Sequence, residues 1–339
     1  MLNRVEQLCA LAGTSGDEGR VAAYILAQIG DKAEVSRDPL GNLIGVKRGK
    51  GRPKNKVMLC AHMDEVGLIV TGFTSDGMLR FDAVGGIDPR VVLGRQVAVG
   101  EAGLAGVIGA KAVHLLSDDE RSSAPGFDKL FIDIGAVSEE DARDHVALGD
   151  RAVFVSDFIR FGDGLLKGKA LDDRLGCAIL LELIDGEPAY DFHFAFTVQE
   201  EVGLRGAKAA AYTIAPDMAV VLETTTAADI AGVEGAAQVC RLKGGPVISF
   251  MDRSTLYDRE LYALAFDTAK TLGFAAQTKT MIAGGNDAGA VHVSGSGVRT
   301  AAISVPCRYL HSPSCVVNLG DVAHTAQLVE ALLPRMQML

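Results

Sequence analysis

The most informative stretch of the sequence is Val57-Met58-Leu59-Cys60-Ala61-His62-Met63-Asp64, in which an apolar run leads directly into a histidine and an aspartate. A short apolar run of this kind, bounded by polar residues, is typical of a buried strand in an α/β sheet. Ligands of open α/β sheets bind in the crevice beyond the carboxyl ends of the strands. The sequence therefore predicts that His62 and Asp64 lie at such a crevice.

The C-terminal half of the chain also indicates an α/β fold. After Leu165, predicted helices alternate with predicted strands, which is typical of a mainly parallel sheet. The predicted helices span 178–184, 207–212, 256–272 and 322–333, and the predicted strands span 192–198, 218–222 and 300–305. Two more helices are expected near the N-terminus, the second of them opened by a capping box of Ser15 and Glu18.

Short β-like runs between glycines fill the middle of the chain, from about Val66 to Asp163. Turn pairs such as Asp76-Gly77 and Gly85-Gly86 separate these runs, as in an all-β unit. The polar segment 117–127 is expected to be a mobile loop. We therefore predict an α/β domain formed by 1–65 plus 164–339, interrupted by a small, barrel-like β domain at 66–163.

Composition excludes several classes of function. The 339 residues include 43 acidic and 33 basic side chains, so the formal charge of −10 argues against a nucleic-acid or anionic-membrane partner. The six cysteines form no C-x-x-C pair, and no apolar run approaches a secretory or membrane-spanning segment. We therefore expect a soluble, cytoplasmic protein.

Further potential metal ligands follow other predicted strands or precede a predicted helix. They are Asp172-Asp173, Glu200-Glu201, Glu223 and His311. Any one of them alone would often be an ordinary loop residue or a helix cap, but independent accidents would not all fall at one end of a sheet. Two histidines and three carboxylates are too many ligands for one tetrahedral zinc, whereas two open sites of three ligands each need one carboxylate to bridge them. Zinc, cobalt or manganese would suit such a donor set.

Two local patterns suggest how this site would work. Residues two apart on an extended chain face the same side, so Asp64 can orient His62 and raise its basicity. Adjacent side chains diverge, so one residue of the pair Glu200-Glu201 can bind metal while the other acts as a general base. Spacing does not decide which of the neighbours Asp172 and Asp173 is a ligand.

Four segments resemble the M42 family of dinuclear metallo-aminopeptidases, which includes the tetrahedral and glutamyl aminopeptidases. They are His62-Met63-Asp64-Glu65-Val66-Gly67, Lys169-Ala170-Leu171-Asp172-Asp173-Arg174, Gln199-Glu200-Glu201-Val202-Gly203 and Arg308-Tyr309-Leu310-His311-Ser312. Their order and spacing match the family over nearly the whole chain. The resemblance implies a zinc-peptidase-like catalytic domain and a β insert that joins subunits into dimers and then a dodecamer.

The resemblance also implies a role for each candidate residue. One divalent metal ion would be held by His62, Asp172 and Glu223, and a second by Asp172, Glu201 and His311, with Asp172 as the bridge. Glu200 would be the general base, and Asp64 would orient His62. Many relatives carry an aspartate where this chain has Glu223, whose side chain is longer by one methylene group.

The function implied is the release of single N-terminal residues from short peptides by a metal-activated water. The preferred residue would be set by pocket walls expected within 227–235 and 281–287. One alternative is an endoglucanase-type glycoside hydrolase, which needs only a carboxylate pair. The absence of tryptophan leaves little stacking surface for sugars, and the two histidines would have no role. A catalytically silent scaffold of the same fold is the other alternative.

Overall fold

The computed structural model describes every residue from Met1 to Leu339 and contains seventeen strands and nine α-helices. The strands are β1 (Glu34–Arg37), β2 (Leu43–Lys47), β3 (Val57–His62), β4 (Gly67–Phe73), β5 (Leu79–Val84), β6 (Gln96–Val99), β7 (Leu104–Ala110), β8 (Leu130–Asp133), β9 (Arg151–Phe154), β10 (Ile159–Phe161), β11 (Leu165–Gly168), β12 (Phe192–Thr197), β13 (Met218–Thr226), β14 (Val247–Ile248), β15 (Gln277–Thr278), β16 (Arg299–Arg308) and β17 (Cys315–Asn318). The helices are α1 (Leu2–Ala10), α2 (Gly19–Ile29), α3 (Asp118–Arg121), α4 (Glu139–His145), α5 (Leu171–Asp185), α6 (Arg205–Ile214), α7 (Arg259–Leu272), α8 (Ala288–Val291) and α9 (Leu319–Gln337).

An eleven-stranded sheet forms the larger part of the fold, with the order β1-β2-β12-β3-β13-β16-β17-β11-β10. Strand β14 also pairs with β16, and β15 pairs with β14. The four central strands, β12, β3, β13 and β16, run parallel to one another, as the sequence predicts. The outer strands pair antiparallel, so the sheet is mixed rather than mainly parallel. The difference arises because the short edge strands carry too little periodicity to be recognised.

The apolar run of β3 is continuous because both faces of the strand are covered. Val57, Leu59 and Ala61 belong to the core that the sheet shares with α1, α2, α5 and α9. Met58 and Cys60 point to the opposite face and pack in the core formed with α6 and α8. Successive side chains of a strand alternate between faces, so an α/β sheet with helices on both sides requires apolar residues at every position.

The predicted β insert is a closed barrel of six strands in the order β4-β5-β8-β7-β6-β9. It has a core of its own, which includes Leu68, Leu79 and Ile132. Strand β10 lies within the interval 66–163 but pairs with β11 in the large sheet, so the strands of the barrel end at Phe154. The domain boundaries given above otherwise stay a prediction.

Several local predictions were wrong in detail. The Ser15 hydroxyl does not cap α2 but donates to Asp64 Oδ2, and α2 begins at Gly19 without a side-chain cap. The segment 117–127 contains α3, capped by a reciprocal pair of Ser117 and Glu120.

No helix combines the length and apolarity needed to span a bilayer.

Candidate metal centre

The predicted ligands and base come together at the carboxyl end of the parallel strands. His62 is the last residue of β3 and pairs in register with Thr197, the last residue of β12. Glu201 lies in the loop that follows β12. The register of Val221 with Cys60 places Glu223 level with His62, inside β13 rather than after it. The strand was predicted to stop at residue 222, but it continues to Thr226.

The carboxylate of Asp172 lies between the two histidines. Its Oδ1 is 3.4 Å from His62 Nε2, and its Oδ2 is 3.4 Å from His311 Nε2. The same His311 nitrogen is 3.3 Å from Glu201 Oε2, and His62 Nε2 is 3.8 Å from Glu223 Oε2. Each oxygen of Asp172 therefore faces a different half of the cluster, which consists of His62, Asp172, Glu201, Glu223 and His311.

Asp173 competes with Asp172 on distance alone. It offers an oxygen within 4.8 Å of ligand atoms of His62 and Glu223. However, its Oδ1 accepts a hydrogen bond from the Gly176 N–H at 3.0 Å. A cavity opens beside these residues. The two side chains diverge because neither residue has helical backbone angles, although both lie in the first turn of α5. Of the two carboxylates, only that of Asp172 lines the cavity.

The donor set fits divalent cations. Asp172 Oδ1, Glu201 Oε1 and Glu223 Oε1 are sealed from solvent and have no hydrogen-bond partner within the protein. The same holds for Asp173 Oδ2, so this property does not separate Asp172 from its neighbour. A buried carboxylate oxygen without a partner is costly, and a cation relieves that cost. Burial raises the pKa of Glu201 to about 7 and that of Glu223 well above its usual value. Burial alone would lower the pKa of His311, but Asp172 and Glu201 raise it to about 10.

Asp64 is a hub of hydrogen bonds behind the cluster. Its Oδ1 accepts from the Glu200 backbone N–H at 3.0 Å, and its Oδ2 accepts from the Glu201 backbone N–H at 3.1 Å and from the Ser15 hydroxyl at 2.6 Å. His62 Nδ1 is 3.5 Å from Asp64 Oδ1 and 3.1 Å from the Asp64 carbonyl oxygen. The sequence pointed to the contact with His62 but not to the two backbone contacts.

The side chains of Glu200 and Glu201 point in different directions, as expected for adjacent residues. Glu201 turns toward His311, whereas Glu200 lines the cavity beside the cluster and makes no ion pair within 4.0 Å. Burial raises the pKa of Glu200 well above its usual value, against the opposing charge of His62. A carboxylate in this setting accepts a proton more readily than an exposed glutamate does.

Left-handed backbone conformations recur next to the cluster. Ala170, Gln199 and His311 all have φ between 53° and 56°. Such angles cost free energy for residues other than glycine and tend to persist at functional sites, where the surrounding structure fixes them. At Gln199 the backbone N–H donates to Glu18 Oε1 at 3.1 Å, so the residue predicted to cap a helix instead holds the loop that carries Glu200.

A buried ion network supports the segment that follows β3. Lys169 Nζ lies 2.8 Å from Glu65 Oε1, and Arg174 Nε donates to the Met63 carbonyl oxygen at 2.8 Å. Arg174 also donates to the carbonyl oxygens of Leu8 and Gly13, so it ties the N-terminal segment to this network. These contacts explain why Glu65, Lys169 and Arg174, which belong to two of the segments that resemble the M42 family, are buried although they do not line the cavity.

A cavity of about 750 Å³ opens beside the cluster. Residues Met281 and 283–286 line it, as expected, but none of the residues 227–235 does. The cavity residues that the sequence reasoning missed include two basic ones, Arg253 and Lys279. Lys279 stands in the stretch Gln277-Thr278-Lys279-Thr280, which contains no recognisable motif.

The chain is similar to curated aminopeptidases along nearly its whole length. A putative aminopeptidase of Acetivibrio thermocellus is 38% identical, and the match covers 98% of both chains. The glutamyl aminopeptidase of Lactococcus lactis subsp. cremoris is 31% identical over 98% of this chain and 96% of its own. The lysyl aminopeptidase of Pyrococcus furiosus is 31% identical over 92% of this chain and 90% of its own.

Solved structures show the same architecture. The TET1 peptidase of Pyrococcus horikoshii, which can assemble into a tetrahedron or a large octahedral shell, superposes with a TM-score of 0.86 at 37% identity over 98% of each chain. A Thermotoga maritima protein named an endoglucanase has a TM-score of 0.81 at 36% identity, covering 98% of this chain and 97% of its own. That name does not support the glycosidase alternative, because the named curated relatives above are aminopeptidases.

The family model described as M42 glutamyl aminopeptidase matches residues 41–328, which contain every ligand and base predicted here. Since that match spans most of the sequence and agrees with the relatives and with the fold, the chain belongs to the M42 family of aminopeptidases, hydrolases that act on peptides.

Proposed function

We propose that the chain releases single residues from the free N-terminus of short peptides and uses two divalent cations to do so. The single observation that supports this most is the position of Asp172, whose two oxygens face different histidines. His62, Asp172 and Glu223 would hold one ion, and Asp172, Glu201 and His311 would hold the other. Zinc and cobalt are the first candidates for both ions, and manganese is the third.

The metals, when bound, would polarise the scissile carbonyl and make water acidic enough to attack near neutral pH. Glu200 would accept the proton that the attacking water loses as its oxygen bonds to the carbonyl carbon. When the carbon–nitrogen bond of the peptide breaks, Glu200 would give that proton to the leaving amine. The raised pKa of Glu200 supports both transfers, because a proton must be held and then released.

The subunit is proposed to work in an assembly. Relatives include the Pyrococcus horikoshii peptidase described above and a related structure solved as a dodecamer. We propose that this chain pairs through its β barrel into dimers, which assemble into a dodecamer. A cytoplasmic location is proposed as well, supported by six cysteines that are all buried and free of disulfide bonds. Light scattering coupled to size-exclusion chromatography measures the assembly.

A panel of aminoacyl p-nitroanilides tests the activity. The protein is first stripped with a chelator and then reloaded separately with zinc, cobalt or manganese. We expect no release of nitroaniline before reloading and release afterwards, and no release from a substrate whose amino group is acetylated. Failure to cleave any unblocked substrate with any metal would contradict the proposal, while cleavage of the acetylated substrate would contradict its restriction to the N-terminus.

A further inference from the structure

The ring of His311 is held by a residue next to the β barrel rather than by the sheet. Its Nδ1 lies 2.9 Å from the carbonyl oxygen of Gly86, which follows the barrel strand β5 by two residues. A carbonyl oxygen can only accept a hydrogen bond, so the hydrogen in this contact belongs to Nδ1. In the neutral ring that binds a metal ion, the free electron pair is then on Nε2, the atom that faces Asp172 and Glu201.

The other histidine of the cluster is oriented from within its own segment. His62 Nδ1 is 3.1 Å from the carbonyl oxygen of Asp64, two residues further along the chain. A histidine that binds a metal ion usually gives its other ring nitrogen to such an acceptor, which fixes the direction of the ring. Both histidines have this support, but for His311 it comes from a residue 225 positions away.

The loop that carries His311 contacts a residue next to the barrel at a second point. Ser156, two residues after the barrel strand β9, donates its hydroxyl to the carbonyl oxygen of Pro313 at 2.5 Å. Within the loop, Tyr309 and His311 have left-handed φ angles of 58° and 56°. Residues other than glycine keep such angles only where the surrounding structure imposes them. The contacts with the barrel side are therefore part of what fixes this loop.

The two glycines after β5 pack closely against two of the proposed ligands. A methyl group on Gly85 would lie 2.8 Å from Val66 Cγ1 and 3.3 Å from Glu201 Cβ. The φ of +89° at Gly85 also disfavours any residue other than glycine. A methyl group on Gly86 would lie 3.4 Å from His311 Nδ1, which is ordinary contact distance, so a larger side chain there would press on the ring.

We propose that the turn Gly85-Gly86 positions His311 and Glu201 for the ion that they share with Asp172, which we call the second ion. The inference rests on the proposed function, because it assumes that two ions bind. Both glycines act through the ligands that they contact, so they are positioning residues.

The first ion has no comparable dependence on the turn. Its own ligands, His62 and Glu223, lie on strands β3 and β13 of the sheet, and the ring of His62 is oriented by Asp64. A displacement of the turn Gly85-Gly86 should therefore weaken the binding of the second ion and leave the binding of the first ion unchanged.

Substitutions of Gly86 test the contact with the ring without straining the backbone, because Gly86 is not among the residues of positive φ. In Gly86→Val the larger side chain must displace the ring or the carbonyl oxygen, so the second zinc ion should bind about 10–100-fold more weakly. Gly86→Ala should have the same effect by a smaller factor. The affinity for the first ion should stay at the wild-type value in both. Metal content after dialysis at a series of free zinc concentrations gives the two affinities.

Gly85→Ala tests the other glycine, and Gly94→Ala is its matched control. Both glycines have a left-handed φ, +89° and +74°, and both lie between β5 and β6, but a methyl group on Gly94 would meet nothing within 4 Å. Both variants should lower the melting temperature, whereas only Gly85→Ala should bind the second ion more weakly. An equal effect in Gly94→Ala would overturn the proposal, because backbone strain alone would then explain it. If Gly85→Ala and Gly86→Val do not fold, the comparison of Gly86→Ala with the wild type decides the question.

Two further measurements identify the affected ion. Glu201→Gln removes a ligand of the second ion, so adding Gly86→Val to it should change metal binding little if both substitutions act on the same ion. Cobalt reports the geometry of its ligands, so the visible absorption contributed by the second cobalt ion should shift in Gly86→Val and not in Gly94→Ala. Equal weakening of both ions, or an unchanged cobalt spectrum, would overturn the positioning role.

The proposed function and this inference fail in different ways. A wild-type protein that binds fewer than two zinc ions at saturating concentration would refute the two-ion function on which the inference rests. A wild-type protein that binds two ions, both of them retained with unchanged affinity in the variants of Gly85 and Gly86, would leave that function intact and overturn the role of the turn.

Discussion

The Oδ1 atom of Asp64 accepts a hydrogen bond from the backbone N–H of Glu200 at 3.0 Å. This bond joins the segment after β3 to the loop after β12, two elements far apart in sequence. The other oxygen of Asp64 holds Glu201 in the same way at 3.1 Å. One buried carboxylate therefore sets the positions of the proposed base and of a proposed ligand, and it also lies behind His62.

Replacement of Asp64 by asparagine should damage both activity and stability. An asparagine offers one acceptor oxygen, so its amide group would face one of the two backbone N–H donors and leave that donor unsatisfied. We expect a loss of about 1–3 kcal/mol in the free energy of unfolding and a fall in kcat of at least about 10-fold. Thermal unfolding and steady-state kinetics measure the two effects.

Ser15→Ala is the matched control for this change. It removes the hydroxyl that donates to Asp64 Oδ2 and leaves both backbone contacts in place. We expect it to cost about 0.5–1.5 kcal/mol, with kcat nearly unchanged. A loss of turnover in Ser15→Ala as large as that in Asp64→Asn would show that the hydrogen bonds from the Glu200 and Glu201 backbone to Asp64 do not account for the loss of activity.

Glu200→Gln should separate chemistry from metal binding. The amide cannot accept the proton of the attacking water, so turnover should fall by about 10²–10⁴-fold. Because Glu200 makes no ion pair within 4.0 Å with either His62 or His311, the metal content of the purified protein should equal that of the wild type. Elemental analysis and kinetics on one preparation make the comparison. Glu201→Gln is the contrasting variant, since it should lose metal as well as activity.

The sequence was most informative where a side chain stands at the end of a buried central strand. His62 and Glu201 were predicted to lie at one edge of the sheet, and they do, because parallel strands bring their carboxyl ends to one edge whatever their separation in sequence. The C-terminal end of β13 was predicted too early because Glu223 is polar, and a polar residue after an apolar run usually indicates that the strand has ended. The choice of Asp172 over Asp173 needs backbone angles that spacing does not contain.

Contacts that depend on tertiary structure alone were the ones that the sequence missed. Ser15 and Glu18 have the spacing of a capping box, yet both side chains form hydrogen bonds with other segments. Ser15 donates to Asp64, and Glu18 accepts from the Gln199 backbone N–H. The cavity residue Lys279 was missed for the same reason, because its sequence neighbours do not indicate that it lines the cavity.

The stability of the metal-free protein should fall as pH rises through the neutral range. Burial raises the pKa of Glu201 from 4.5 to about 7 and that of Asp287 from 3.8 to about 6. Between the unfolded and folded values, the folded chain holds protons that the unfolded chain releases, so the free energy of unfolding decreases with increasing pH. His311, with a pKa raised to about 10, contributes with the same sign above pH 6.5.

Melting temperatures of the chelator-treated protein at pH 5.5, 6.5 and 7.5 measure this trend. Divalent cations bind the deprotonated carboxylates, so adding zinc or cobalt should raise the melting temperature more at pH 7.5 than at pH 5.5. Two groups act in the opposite direction: the lowered pKa of Asp64 matters only below about pH 4, and the pKa of His193, which burial lowers from 6.5, opposes the trend only up to about pH 6.5. A metal-free protein that becomes more stable from pH 5.5 to 7.5 would contradict the assigned directions.

Asp172→Asn and Asp173→Asn form a matched pair that tests the bridge. The two residues are neighbours, both buried, and the substitution is the same, so general damage to the start of α5 should be similar. Because the two oxygens of Asp172 lie 3.4 Å from His62 and His311 respectively, its loss should weaken both metal sites together. Asp173→Asn keeps an oxygen for the Gly176 N–H and should retain both metals. Metal content after dialysis at a series of free zinc concentrations measures this, and loss of only one ion in Asp172→Asn would refute the bridging role.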